Sequence, residues 1–320
     1  MGVKSLAAFM ALLASSGAAG PTLPAGIHLI PGAVPLNSGP DGNTIVFDAP
    51  KGLIVFDTGR HPEHAQAILD YAKQRGRPIA AVVNSHWHLD HTTGNWDIRQ
   101  AYPHVAVYAS SAIDGALATF LKNSRAETDK MLADPKTSAA VRDQLERGIS
   151  VIDHPERIRP DHVVAKSGPM TIAGRSLDVH LARFAATEGD VWIYDPKTRV
   201  VVVGDLVVDI VPFMDTACAD GWRKALADVA KAPFTALIPG HGPVMSRADF
   251  AIWRKAYNNF VDCGQSKADK ASCIDGWSRD AAKFIDAEHK TYARELADYY
   301  LTSRLRASPE EQQKYCKPLR

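Results

Sequence analysis

The sequence predicts an α/β fold in which two β-sheets pack against each other and helices cover their outer faces. Two observations support this prediction. Runs of short, strand-like apolar segments are followed by helical segments in the first half of the chain and again in the second half. Such a repeat is typical of layered sheets with helices outside. The composition, with 46% hydrophobic and 23% charged residues, is that of an ordinary globular protein.

The first twenty residues have the pattern of an export signal. Lys4 supplies a positive charge, residues 6–13 are apolar, and residues 15–20 are mostly small. The apolar stretch is shorter than the ~20 residues needed to cross a bilayer. We therefore expect a signal peptide at 1–20 and a periplasmic or secreted protein. A buried N-terminal helix is the alternative.

The elements that follow alternate between strand-like and helical patterns. A turn signal at 49–52 separates the first two well-defined strands. The helix after them carries its apolar residues on one face. In order, we predict strands at 44–47 and 53–56, a helix at 61–75, and strands at 79–84 and 105–109.

The most informative segment directly follows the apolar run at 79–83. His86, His88, Asp90 and His91 place three imidazoles and a carboxylate within six positions. Buried imidazoles and carboxylates need partners, which favours a metal site over a solvent-exposed histidine-rich loop. The first two histidines share one side of an extended chain, whereas the last two residues can face a second point. This arrangement suits two adjacent metal ions, and nitrogen and oxygen ligands suit zinc.

The His-x-His-x-Asp-His motif resembles that of the metallo-β-lactamase-fold hydrolases. Three further matches follow the same order as in that family: Asp57 in an Asp-Thr-Gly turn, Asp205 in a Gly-Asp pair, and His241 in a Pro-Gly-His-Gly loop. The resemblance covers about residues 27–245. It implies an αββα sandwich with metal ions at one edge of the sheets.

The resemblance also implies a role for each ligand. The first metal would be held by His86 and His88, and the second by Asp90, His91 and His241, with Asp205 as a bridge. A hydrogen bond from Asp57 would orient a ligand histidine. A capped turn after the strand is the alternative reading of Asp57.

Position 186 departs from the family pattern. Ala186 stands where the family has the third histidine of the first metal, and a methyl group cannot donate an electron pair. His180 is ~20 Å away along an extended strand and cannot replace it. Glu188 is closer and long enough to be a candidate ligand. We therefore expect one tightly bound zinc ion in the second position and a weak or exchangeable metal in the first.

Two regions lie outside the strand pattern. Residues 111–158 are predicted to form two helices separated near 134–135, either as an insertion beside the active-site mouth or as packing on the outer face. From about residue 247 the chain is predicted to be helical, an extension of the domain at 21–246. Between these regions we predict strands at 162–166, 169–173, 176–182, 190–194 and 199–204, a helix at 222–231 and a strand at 235–238.

Residues near the motifs suggest a substrate pocket. The segment 210–215 follows Asp205 and is a plausible substrate-facing loop. Trp87 and Trp96 flank the motif and are candidates for a pocket wall, although tryptophans here are as easily part of the core.

The four cysteines have no zinc-knuckle spacing. In an oxidising compartment an even set favours disulfide bonds. Cys263 and Cys273 bracket a polar segment that could join two helices, so they are the first pair expected. Cys218 with Cys316 would then tie the tail to the core. The other two connectivities remain open.

The resemblance implies a hydrolase in which metal-bound hydroxide attacks the carbonyl of a small ester, lactone, thioester or β-lactam, while Asp90 orients the water or collects its proton. The C-terminal segment and the cysteines are also compatible with the exported members of the family that are associated with quinoprotein systems.

The sequence has no basic cluster interleaved with aromatic residues, which argues against a nucleic-acid partner, and nothing points to a membrane partner. An iron-dependent redox enzyme on the same fold and a degenerate metal-binding protein without catalysis are the alternatives. The oligomeric state is not indicated.

Overall fold

The computed structural model describes residues 20–36 and 38–318. The predicted signal peptide therefore lies almost entirely outside the described residues. The strands form two sheets, as the sequence predicted. The first sheet has its six strands in both chain and spatial order: β1 (Ile27–Ile30), β2 (Thr44–Ala49), β3 (Gly52–Phe56), β4 (Ile79–Val83), β5 (Ala106–Ala109) and β6 (His162–Val163).

The second sheet has five strands. They are β7 (Gly168–Ile172), β8 (Arg175–Arg183), β9 (Gly189–Asp195), β10 (Val200–Val202) and β11 (Ala236–Ile238). As in the first sheet, each strand lies beside the next strand in the chain. Neighbouring strands are antiparallel except β10 and β11, which are parallel. In the first sheet, β3 to β6 are parallel, so their carboxyl ends meet at one edge.

Alternate residues of each strand enter different layers of the core. In β3, the side chains of Ile54 and Phe56 pack between the sheets with residues such as Val179 and Ile193 of the second sheet. Val55, one position along, packs on the opposite side, in the cluster beneath the outer helices. Because successive side chains of a strand point to opposite faces, a strand that is apolar throughout indicates a sheet buried on both sides.

The first sheet carries helices α1 (Pro62–Arg75), α2 (Leu89–Thr92) and α3 (Asn95–Ala101). Helix α1 ends at Gly76, whose left-handed φ of 59° is a conformation that favours glycine. Helix α2 is a single turn and contains Asp90 and His91. The second half of the metal motif is therefore helical, and it follows a bend at residues 85–87 that contains His86.

The insertion contains three helices, so the prediction of two is wrong. They are α4 (Ala112–Ala118), α5 (Phe120–Ala133) and α6 (Ala139–Asp153). The predicted break near residue 134 is present, and α6 begins after Ser138, whose side chain accepts a hydrogen bond from Val141 N. The break that the sequence did not reveal is at Thr119, where a φ of −127° and a ψ of −86° interrupt the helix.

The C-terminal segment packs directly against the second half of the domain. Its helices are α8 (Arg247–Gln265), α9 (Lys270–Asp280), α10 (Lys290–Tyr300) and α11 (Pro309–Gln313), and α7 (Ala219–Val229) precedes them. Their apolar side chains share one buried cluster with strands β9 and β10. Both expected disulfides, Cys263–Cys273 and Cys218–Cys316, are confirmed. In the part of the chain that is described, no helix has the length and apolarity required to cross a membrane.

Three tryptophans bind the loop that follows Asp205. The indole Nε1 of Trp222 donates to the carbonyl of Leu206 (2.9 Å). Trp253 Nε1 donates to Val208 (2.6 Å), and Trp277 Nε1 donates to Ile210 (3.0 Å). Two of these donors belong to the C-terminal helices α8 and α9. The C-terminal helices therefore fix the backbone of a loop that begins at a candidate metal ligand.

Candidate metal centre

The predicted ligands converge where strands of both sheets end. Asp57 follows β3, His86 follows β4, Asp205 follows β10, and His241 follows β11. The approach of the last two loops is close: a Cβ at Gly240 would lie 2.1 Å from Asp205 Oδ1, so only glycine fits. Segments that are far apart in the sequence are therefore close in space at this edge, which forms the candidate site.

Four ligand atoms form a compact cluster, called the second cluster below. Its members are His91 Nε2, His241 Nε2, Asp90 Oδ2 and Asp205 Oδ1. His91 Nε2 lies 3.3 Å from His241 Nε2, 3.4 Å from Asp90 Oδ2 and 3.1 Å from Asp205 Oδ1. His241 Nε2 lies 3.1 Å from Asp90 Oδ2 and 3.5 Å from Asp205 Oδ1.

These distances match a tetrahedral metal site. Zinc bonds of ~2.0–2.1 Å in tetrahedral geometry place neighbouring ligand atoms ~3.3 Å apart. The five measured separations scatter around that length. The spacing of these five pairs therefore suits a divalent cation bound between the four atoms.

The first cluster consists of His86, His88 and Asp205, whose ligand atoms all lie within 4.8 Å of one another. His86 Nε2 is 3.6 Å from Asp205 Oδ2. Among the described residues, His86 Nε2 and Asp205 Oδ1 are buried polar atoms without a hydrogen-bond partner. Such atoms are costly unless something else binds them. A metal ion in the first cluster would satisfy His86 Nε2, and one in the second cluster would satisfy Asp205 Oδ1.

Hydrogen bonds from the protein leave the ligand nitrogens free to coordinate. Asp57 accepts from Ser85 N (2.7 Å), Ser85 Oγ (2.7 Å) and His91 Nδ1 (2.8 Å). The Ser85 hydroxyl therefore accepts from His86 Nδ1, at 2.8 Å. In both histidines the Nδ1–H is engaged in a hydrogen bond, so Nε2 is the atom directed at the cluster. The contact expected of Asp57 is present, and its effect on metal binding stays a prediction.

Beside Ala186, where a third histidine was expected from the family resemblance, Thr216 contacts a ligand of the first cluster. The Thr216 hydroxyl donates to the carbonyl of buried Ala186 (3.0 Å) and accepts from His88 Nε2 (3.0 Å). His88 therefore has Nδ1 free for coordination. Neither cluster includes Glu188. His180 stacks on Trp192 with ring centroids 3.7 Å apart and also belongs to neither.

The electrostatics of the two clusters differ. Burial lowers the pKa of His88 to about 4 and that of His86 well below its usual value. Both rings are therefore neutral near pH 7, and each has a nitrogen lone pair that can bind a metal ion. Burial also disfavours the charged form of His91, but the carboxylates of Asp205, Asp90 and Asp57 raise its pKa well above the usual value. A metal entering the second cluster therefore has to displace a proton.

A cavity of about 410 Å³ opens above the ligands His88, Asp90, Asp205 and His241. The predicted loop at 210–215 lines it, as does helix α5 of the insertion, so the insertion lies beside the mouth as one reading expected. Trp87 also lines the cavity. Trp96 does not, and its ring packs under the guanidinium of Arg157 at 4.5 Å.

Two sets of cavity residues were missed in the sequence. Arg60 lies at the rim, with Nη2 3.7 Å from Asp90 Oδ1. Helix α10 contributes one stripe of side chains, namely Tyr292, Leu296, Tyr299 and Tyr300. Their spacing of i, i+4, i+7 and i+8 is the pattern of a single helical face, which is the signal that could have identified them.

Comparison with known proteins gives a consistent result. A sequence model described as the metallo-beta-lactamase superfamily matches residues 38–273. A hydroxyacylglutathione hydrolase of Gloeobacter violaceus is 41% identical over 49 residues, which are 15% of this chain and 19% of that protein. An atrochrysone carboxyl ACP thioesterase of Emericella nidulans is 35% identical over 78 residues, 23% of this chain and 25% of that protein. The chain thus matches about a fifth of the length of these curated relatives.

Solved structures show the same fold. A metallo-beta-lactamase from Pontibacter korlensis superposes with a TM-score of 0.53 at 18% identity, covering 75% of this chain and 98% of that chain. The sec-alkylsulfatase Pisa1 from Pseudomonas sp. superposes with a TM-score of 0.56 at 20% identity, covering 81% of this chain and 47% of that chain. At these identities the likeness establishes the architecture alone.

Proposed function

The chain belongs to the metallo-β-lactamase superfamily, and on this basis we propose that it is an exported zinc-dependent hydrolase of a small carbonyl compound. The candidate substrates are an ester, a lactone, a thioester or a β-lactam. The observation that carries the proposal is the near-tetrahedral second cluster at the floor of an open cavity. Its matched relatives include proteins named as a hydrolase and a thioesterase.

The residues present fit the metal that the fold implies. Zinc would be held by His91, His241 and Asp90, with Asp205 as the bridging ligand, and all of these residues offer nitrogen or oxygen. A second, weaker ion would be held by His86 and His88, with Asp205 shared. When bound, such a metal supplies a Lewis acid that activates water near neutral pH and polarises a carbonyl.

Asp90 is the residue proposed to handle the proton. Its Oδ2 belongs to the second cluster, and its Oδ1 is directed towards Arg60 at the cavity rim. Burial opposes ionisation of this carboxyl, but His91 and His241 hold its pKa well below the usual value. An ionised Oδ1 beside the cavity can orient a water molecule and accept its proton.

Export and a small-molecule partner complete the proposal. Two disulfides are expected of an oxidising compartment, which agrees with the signal pattern in residues 1–20. A cavity of about 410 Å³ has the size of a small-molecule site. We propose periplasmic or secreted localisation and a small organic substrate.

The test combines metal analysis with turnover. Elemental analysis of the purified protein is expected to find zinc, and a panel of nitrocefin, lactones and thioesters is expected to include a hydrolysed substrate. Asp90→Ala should lose most of this turnover. Stoichiometric iron with oxygen consumption would instead favour a redox enzyme. Zinc without turnover on any compound of the panel would favour a binding protein.

A further inference from the structure

An aromatic wall leads away from the first cluster towards the cavity mouth. The ring of Phe213 lies 5.2 Å from the ring of His88, edge to face. Tyr300 is 6.1 Å from Phe213, and Tyr299 is 5.2 Å from Tyr300, all between ring centroids. The wall thus runs without a break from a candidate metal ligand to solvent. It is provided by the loop after Asp205 and by helix α10.

A second wall faces it and also begins at His88. Trp87 lies 4.5 Å from the ring of His88, and Phe120 lies 5.4 Å from Trp87. Phe120 belongs to helix α5 of the insertion. The cavity above the metal ligands is lined by both walls. The part of a bound molecule that lies beyond the metal ligands would therefore contact aromatic side chains of both walls.

The outer end of the first wall is unusually open for aromatic side chains. Tyr299 is 48% exposed and Tyr292 is 36% exposed, and both line the cavity. Helix α10 begins at Lys290, beyond residue 273 where the superfamily match ends. The tyrosines of this wall therefore lie outside the part of the chain that matches the superfamily, whereas Phe213 lies inside it, and the exposed tyrosine rings offer apolar surface to a ligand.

Several contacts hold the first wall in place. The Tyr299 hydroxyl donates to Asp215 Oδ1 at 3.1 Å, which ties helix α10 to the loop that carries Phe213. The indoles of Trp253 and Trp277 fix Val208 and Ile210 of the same loop. A preformed apolar surface binds a ligand without the entropic cost of ordering itself.

We propose that the substrate carries an extended apolar group, alkyl or aryl, of about six or more carbons, and that Leu296 and Tyr299 determine this specificity. This inference rests on the proposed function, because it places the reacting carbonyl at the metal ligands. The apolar group lies between Phe120 and helix α10. Burial of each methylene there is expected to tighten binding up to about fourfold.

The test measures binding without turnover. Acetohydroxamate and octanohydroxamate share a metal-binding head and differ by six methylenes in the tail. Isothermal titration of both into zinc-loaded protein is expected to give a Kd at least ~30-fold lower for the octanoyl compound. In the double variant Leu296→Ala/Tyr299→Ala, that ratio should fall at least ~5-fold, while the Kd of acetohydroxamate stays within about twofold.

Two control variants sharpen the result. Tyr299→Phe keeps the ring and should retain most of the chain-length preference. Met131→Ala removes an apolar side chain that is 47% exposed on helix α5 but does not line the cavity, and it should have no effect. Equal binding of the two hydroxamates, or an unchanged ratio in the double variant, overturns the inference. A strong preference without any hydrolysis would retain the apolar pocket and reject the hydrolase.

Discussion

The two metal-ligand clusters share Asp205 but differ in the number of ligand atoms that the protein supplies. In the second cluster, five separations among the four ligand atoms lie between 3.1 and 3.5 Å, and Asp57 orients one of its histidines. The first cluster has two histidines and the shared carboxylate, and at its remaining side the structure has Ala186 with the Thr216 hydroxyl. On the family resemblance, alanine in place of histidine at position 186 would account for the smaller ligand set of the first cluster.

This difference indicates a division of labour between the clusters. A metal held by four protein ligands is bound tightly but has no open position unless its coordination expands. A metal held by three ligands keeps open positions, at the cost of affinity. The protein is therefore expected to retain one ion through purification and to exchange the other.

The largest expected effect comes from removing a ligand of the complete cluster. His241→Ala should weaken the tightly bound metal by ~1000-fold or more, because a direct ligand contributes more than the 10- to 100-fold of a supporting hydrogen bond. His86→Ala, the matched change in the first cluster, should leave that metal in place. Elemental analysis after dialysis against a mild chelator measures the difference. Equal metal loss in both variants would remove the distinction between the clusters.

A histidine introduced at position 186 should reduce the difference in metal affinity between the two clusters. Ala186→His is expected to raise the affinity of the first cluster by about 100-fold, because a third imidazole completes its ligand set. Ala186→Leu adds comparable bulk without a donor and serves as the control. Metal titration monitored by calorimetry distinguishes one strong site from two, and thermal unfolding reports whether the buried position tolerates either side chain. A gain with leucine as well as histidine would rule out coordination as the cause.

Local patterns predicted much of this architecture. The apolar runs predicted strands β3 and β4, and the cluster of polar residues after β4 predicted the candidate ligands from His86 to His91. Both predictions were possible because each pattern lies within a short segment of the sequence. The contact of Thr216 with His88 joins residues 128 positions apart and has no local signature. Helix α10 shows an apolar stripe, but periodicity does not reveal which surface a stripe contacts. The metal motif, Trp87 and the loop at 210–215 were therefore predictable, whereas the contribution of helix α10 to the cavity was not.

The hydrogen bonds of Asp57 should affect the second cluster more than the first, because the carboxylate accepts directly from His91 and reaches His86 only through Ser85. Asp57→Asn is expected to weaken the tightly bound metal by about 10- to 30-fold, since the amide no longer offers a charged acceptor to His91 Nδ1. Thr216→Val, which removes the hydroxyl beside His88, should weaken only the exchangeable metal. Competition with a chromophoric chelator measures both affinities. An unchanged affinity in Asp57→Asn would leave the carboxylate with the role of a capped turn.

The smallest effect on the metals is expected from Asp190, which accepts hydrogen bonds from Thr187 next to the alanine of the incomplete cluster. Burial raises the pKa of Asp190 to about 7. The folded metal-free protein therefore binds this proton more tightly than the unfolded chain, and its stability should fall as pH rises from about 4 to about 7. Relative to Asp190→Asn, which does not titrate, the wild type should lose about 2 kcal/mol of unfolding free energy between pH 5 and pH 8. Urea unfolding of both proteins at the two pH values measures this loss, and parallel pH dependences would show that the carboxyl is ionised throughout. At pH 6 the acid and the amide are both mainly uncharged, so metal affinities should agree within about threefold.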